Sequence, residues 1–273
     1  MQNLITHGRI LLGLCFICEA GWMLWSYDIR AAYWELAGAP ALLTIIIAPL
    51  YALGGAALVA GYKPTLAAVP LVGLLILSTV ILYSSYTPGG IGEYPAELHG
   101  EVNFKATLVS LAIIGALLLV HGHGVPASNM GAAMLRGQQF LLAGRLLLGA
   151  YYMSNAAWQL YYYEIRVEHI LQTGGNPSVL PVAIAINFFG GLLVSCGVLV
   201  RVAIPLLVLL TAASTIMVHG DLSATAPYPP NVQIHQWFLK SAIIAGLLMI
   251  FGHGPVSGRF WRPADLVTNE REH

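Results

Sequence analysis

Four groups of side chains in this 273-residue chain have types and spacings that could do chemistry. The first is a carboxylate where carboxylates are costly. Glu19 lies inside an apolar run, eight residues before Tyr27, which counts to about 12 Å below the run's end at 1.5 Å rise per residue. An acid at that depth in a membrane helix is a functional candidate by default, serving proton transfer or ligand binding. The alternative is a structural acid, protonated or paired, that ties helices together.

The second group is a pair of Lys–His clusters. Lys105 and Lys240 stand in the first turns of two further apolar runs, preceded by His99 and His235. Glu101 and Lys105 are four apart and share a helix face; the corresponding couple is Gln236 and Lys240. The histidines precede the lysines by six and five residues, so a regular helix points them along different faces. As a functional set these are donors gathered at helix starts for an anion or a quinone carbonyl. Otherwise they are snorkelling lysines and interfacial histidines.

The third is Cys15-Phe16-Ile17-Cys18, a C-x-x-C inside an apolar run, where cysteine normally fills space. The fourth is His121, His123 and His253, beside glycines and with no carboxylate nearby in sequence, which reads as capping. No metal site is expected. No nucleotide fingerprint, G-x-S-x-G, H-E-x-x-H or haem-attachment pattern occurs.

The elements that must carry these residues are membrane helices. Charged residues make up 9% of the chain and hydrophobic ones 58%, where a soluble domain carries about 25% charged. The mean hydropathy is +0.74. Lipid must therefore cover most of the surface. A net charge of zero argues against a nucleic-acid partner. Apolar runs long enough to cross a bilayer occur at about 8–27, 40–61, 65–86, 99–121, 138–163, 179–200, 202–219 and 234–252. The first run lacks a small-residue cleavage pattern and is expected to be a retained helix.

The chain also repeats. A shift of 136 places Arg9 on Arg145, Glu19 on Asn155 and Trp22 on Trp158. It carries Tyr27-Asp28-Ile29-Arg30 onto Tyr163-Glu164-Ile165-Arg166, Gly61 onto Gly197 and His99 onto His235. In the last helix of each copy the register slips by one to six residues. The expected fold is all-α and integral to the membrane: eight transmembrane helices as two four-helix bundle repeats of the same orientation. The boundaries are 1–121, a linker at 122–137, 138–254 and a tail at 255–273. Lys and Arg concentrate on the face bearing both termini, which predicts cytoplasmic termini in a plasma (inner) membrane. The opposite face is acidic and carries only Arg30, Lys105, Arg166 and Lys240 as cations. Trp22, Trp25, Tyr27, Trp34, Trp158 and Tyr161 to Tyr163 form an aromatic belt there.

Each copy opens with an Arg and an apolar helix ending in aromatics (Arg9 to Trp25; Arg145 to Trp158). Each closes with Phe104-Lys105 or Leu239-Lys240, a small-residue-rich helix and Gly-His-Gly at 122–124 or 252–254. The pattern resembles the DoxX-like family of four-helix membrane proteins, duplicated in tandem over nearly the whole chain; typical members have one unit. A DoxD relative is a subunit of a thiosulfate:quinone oxidoreductase. The resemblance implies a membrane subunit of a quinone-linked oxidoreductase acting on a small sulfur compound such as thiosulfate, with quinone as cofactor and a redox partner subunit. By position, the Lys of the family's last helix lands on Lys105 and Lys240.

On that reading Glu19, His99, Glu101 and Lys105 are catalytic, with Glu19 and Lys105 paired inside the first unit. Arg30, Asn155, Arg166, His235, Gln236 and Lys240 bind ligand. Two alternatives use the same residues differently: a small-solute carrier, and a non-catalytic assembly subunit of a membrane redox complex.

Overall fold

Long apolar stretches interrupted by glycine and proline leave the backbone one way to satisfy its polar groups in lipid, which is helix. The computed structural model describes residues 2–84, 99–123, 132–172, 176–219 and 230–254, and those residues are helical apart from turns. The helices are α1 (Gln2–Trp25), α2 (Tyr27–Leu36), α3 (Leu43–Ala60), α4 (Pro64–Ser84), α5 (His99–His123), α6 (Ala132–Tyr161), α7 (Tyr163–Gln172), α8 (Val179–Cys196), α9 (Val200–His219) and α10 (Pro230–His253). Seven of them, α1, α3, α4, α5, α8, α9 and α10, are long and apolar enough to cross a membrane. The chain is a helical membrane protein.

Two elements were not legible as apolar runs. Ten-residue helices α2 and α7 follow α1 and α6 after a single turn residue, Ser26 or Tyr162. Backbone bonding passes through both breaks, from Ser26 N–H to the Trp22 carbonyl and from Tyr162 N–H to the Trp158 carbonyl. Around the expected linker at 122–137, α5 extends through 123 and α6 begins at 132.

Glycine sets where helices end and how closely they meet. At Gly61 and Gly197 φ is +71° and +70°. Each glycine N–H and the next one reach back to the last helical carbonyls, a left-handed cap that an L side chain strains. In the interior, a Cβ on Gly55 would lie 2.5 Å from the Gly13 carbonyl, and one on Gly191 2.6 Å from the Gly149 carbonyl. The α1–α3 and α6–α8 backbones therefore touch, the small-residue packing of membrane helices.

Among the described residues, α1 packs along α3 and α10, whereas α5 packs along α4, α6 and α10. α10 thus lies against α1, and α5 against α6. Gly8 meets Ala245 and Met249 of α10, and Gly115 meets Gly144 of α6, both in antiparallel register. Buried Leu12, Ala112, Ala116, Leu148, Ile243 and Leu247 form the core of these crossed pairs.

Candidate functional site

The stripe of α1 that faces α10 runs through Gly8, Leu12 and Cys15 and reaches Glu19 four residues later. The neighbouring stripe, Gly13, Phe16, Ala20 and Met23, is also buried; Phe16 stacks edge-on against Tyr51 of α3 at 5.2 Å. Glu19 is thus aimed at the start of α10, where His235 stands five residues inside the helix. The Glu19 Oε2 to His235 Nδ1 distance is 2.8 Å. A proton must lie between these atoms, because two bare lone pairs repel at that separation. The couple is a carboxylate–imidazole dyad of the kind that positions a proton for transfer.

Arg30 completes the cluster, and it can do so only because α1 is broken. On one straight helix Arg30 would sit about 16 Å further along the axis than Glu19, eleven residues at 1.5 Å each. At the break the Ser26 hydroxyl donates to the Trp22 carbonyl at 2.7 Å. Beyond it α2 turns so that Ala31 and Trp34 pack inward, Trp34 becoming buried. The Arg30 guanidinium comes back to donate to Glu19 Oε1 at 2.8 Å, and its Nη2 lies 3.1 Å from His235 Nδ1. Glu19, Arg30 and His235 side chains are 13%, 15% and 22% exposed. They are largely buried, with part of each side chain still accessible.

The other sequence candidates are distributed as follows. Lys240 points to the opposite side of α10 from His235, as their five-residue spacing requires, and donates to the Tyr151 hydroxyl of α6 at 2.7 Å. Beside it Tyr152 shares a 2.8 Å hydrogen bond with Thr211, and Thr211 and Thr215 bond to carbonyls in α9. At the 136-residue offset Tyr151 and Tyr152 align with Cys15 and Phe16, which cannot make these hydroxyl bonds. Gln236 and Asn155 are half-buried. Arg166 and Glu168 of α7 both have interaction partners. The side chains of His99, Glu101 and Lys105 lie outside the described residues, and with them the expected Glu19–Lys105 pairing. The described partners of Glu19 are Arg30 and His235, contributed by α2 and α10.

The Gly115–Gly144 and Gly122–Gly137 contacts run α5 antiparallel to α6. Sequence reasoning missed Tyr151, Tyr152 and the Gln159–Asn187 contact at 3.4 Å between α6 and α8. A polar residue every fourth position on α6 (151, 155, 159) was the available signal.

Cys15 is buried, Cys18 and Cys196 are exposed, and all three are free thiols. His121 and His123 hydrogen-bond the Thr65 and Leu119 carbonyls. No group of three or more His, Cys, Asp or Glu that could hold a metal ion occurs among the described residues. Fold and site together define a helical membrane protein with a Glu–Arg–His cluster shared between its first and last long helices. No family model, curated protein or solved structure matches the chain.

Proposed function

We propose that the chain is the membrane subunit of a quinone-linked oxidoreductase, in which Glu19, Arg30 and His235 receive the quinone headgroup and supply its protons. The observation that carries this reading is the short Glu19–His235 contact held beside a guanidinium at helix depth. A quinone oxygen that gains electron density needs a donor and then a proton. Arg30 and the His235 imidazole are donors, and the dyad holds a transferable proton. The apolar rings of Phe16, Tyr51 and Trp34 belong to the same buried cluster, the kind of surround a quinone ring requires.

The reducing side follows from the DoxX-like resemblance. Two thiosulfate ions joined through sulfur release two electrons, and one quinone takes those electrons and two protons to become the quinol. A redox partner subunit carries the electrons between them. The anion belongs on the Lys240–Tyr151 side of α10, because Arg30 is already neutralised by Glu19.

The same reading takes the chain as two copies and eight spans. The eighth is α6, whose 30 residues run about 45 Å. Its Arg145 is buried in protein and does not face lipid. It packs along two apolar spans, α5 and α8. Both termini are cytoplasmic in a plasma membrane by the distribution of Lys and Arg.

The test is quinone content after gentle purification. Wild type should retain extractable quinone, and His235→Gln should lose most of it while remaining folded by circular dichroism. A quinone-free wild type that transports a small solute when reconstituted alone in vesicles would favour the carrier reading.

A further inference from the structure

The end of the bundle opposite Glu19 holds a second polar cluster, which the proposed reaction leaves unused. Arg145 of α6 is 3% exposed and donates through Nη2 to the Gly254 carbonyl, at 2.9 Å, where α10 ends. Its Nε is buried and has no partner among the described residues. His123, the last residue of α5, has Nδ1 2.6 Å from the Leu119 carbonyl, so a proton sits on Nδ1. Its Nε2 is buried and likewise without a partner among the described residues. His253, the last residue of α10, packs edge-on to His123 at 4.9 Å, and Arg145 lies within electrostatic reach of both rings.

No described carboxylate answers this cation. Glu19 lies near the far end of α1, Asp28 and Glu35 on α2, and Glu164 and Glu168 on α7. A buried charge without a partner is strongly disfavoured. The carboxyl end of α10 offsets part of that, being equivalent to about half an elementary charge. What remains, among the described residues, is an orphan guanidinium N–H and an orphan imidazole nitrogen within electrostatic reach of each other, where three helices meet at the end of two membrane spans. Guanidinium forks match phosphate oxygens, and basic pockets between helices at this level suit lipid phosphates.

We propose that Arg145 Nε and His123 Nε2 hold a phosphate-type oxyanion where α5, α6 and α10 converge, a binding site separate from the Glu19 cluster. Arg145 donates to one oxygen. His123 Nε2 accepts from a P–OH or, when protonated, donates to a second oxygen.

The experiment follows thermal unfolding of the full chain in neutral detergent with added phosphatidylglycerol, phosphatidylcholine or inorganic phosphate. Phosphatidylglycerol should raise Tm where phosphatidylcholine does not, with apparent affinity falling at least tenfold in His123→Gln. An equal, His123-dependent shift with inorganic phosphate supports the site and identifies a free anion as its ligand; a shift with the lipid alone identifies a headgroup. Arg145→Lys, which keeps the charge and loses the Nε–H, should weaken binding to a similar degree. If wild type responds to no anion, or both variants respond as wild type does, the proposal fails. It fails equally if binding appears only after Asp265→Asn, Glu270→Gln and Glu272→Gln are combined, because acids of the chain's own tail then fill the site.

Discussion

Replacing Glu19 by Gln keeps the side chain's shape and removes the charge that faces both Arg30 and His235. At 2.8 Å and an effective dielectric of about 20, the Glu19–Arg30 attraction is roughly 6 kcal/mol, most of it repaying desolvation. The net loss on breaking such a pair is typically about 3–5 kcal/mol, because the surviving cation is left buried and alone. The side chains are 13% and 15% exposed, so little of this is discounted for solvent screening. We expect Glu19→Gln to destabilise the protein by about 3 kcal/mol in reversible unfolding from mixed micelles. Arg30→Met should cost a similar amount, since it leaves the carboxylate with His235 alone. The double variant should cost clearly less than the two singles together, with a coupling of about 1–3 kcal/mol. Additivity within about 0.5 kcal/mol would refute the reasoning, because two groups in contact cannot behave as independent sites.

Packing makes a contrast within one residue type. Gly55→Ala and Gly191→Ala must push two helix backbones apart and should each cost more than about 2 kcal/mol, whereas Gly21→Ala, which meets open space, should be neutral or stabilise by up to about 1 kcal/mol; unfolding in mixed micelles ranks them. For topology, single cysteines at Ser128 and Asn231 in a cysteine-free background should react with an impermeant thiol reagent from opposite sides, and same-side labelling would end the eight-span reading. Replacing Cys15 and Cys18 together by Ala should leave turnover within about tenfold of wild type, roughly 1.4 kcal/mol in barrier, as the burial of Cys15 and the free state of both thiols lead us to expect. Tyr151→Phe should weaken anion dependence of turnover and leave quinone retention unchanged, since Lys240 and His235 face opposite sides of α10.

Composition and hydropathy alone determined the solvent of this protein, and with it the class of fold. The boundaries of the long helices came out within six residues, and left-handed glycines such as Gly61 and Gly197 end helices for local reasons that need no neighbours. Glu19 stood out from its depth alone, since an acid in an apolar run is costly wherever the run packs. Its partners were not readable. Counting rise gives a depth, but depth is a single coordinate, and which helix lies alongside is set by backbone contacts at glycines such as Gly8 and Gly144. Those contacts bring His235 to Glu19 across 216 residues of chain, a choice that no local pattern contains. The break at Ser26 is a second such choice. Its sequence suits a straight helix as well as a bent one, and the packing of Trp34 with the Arg30–Glu19 pair selects the bend. Periodicity fixes which residues share a face, whereas tertiary contact alone decides what that face meets.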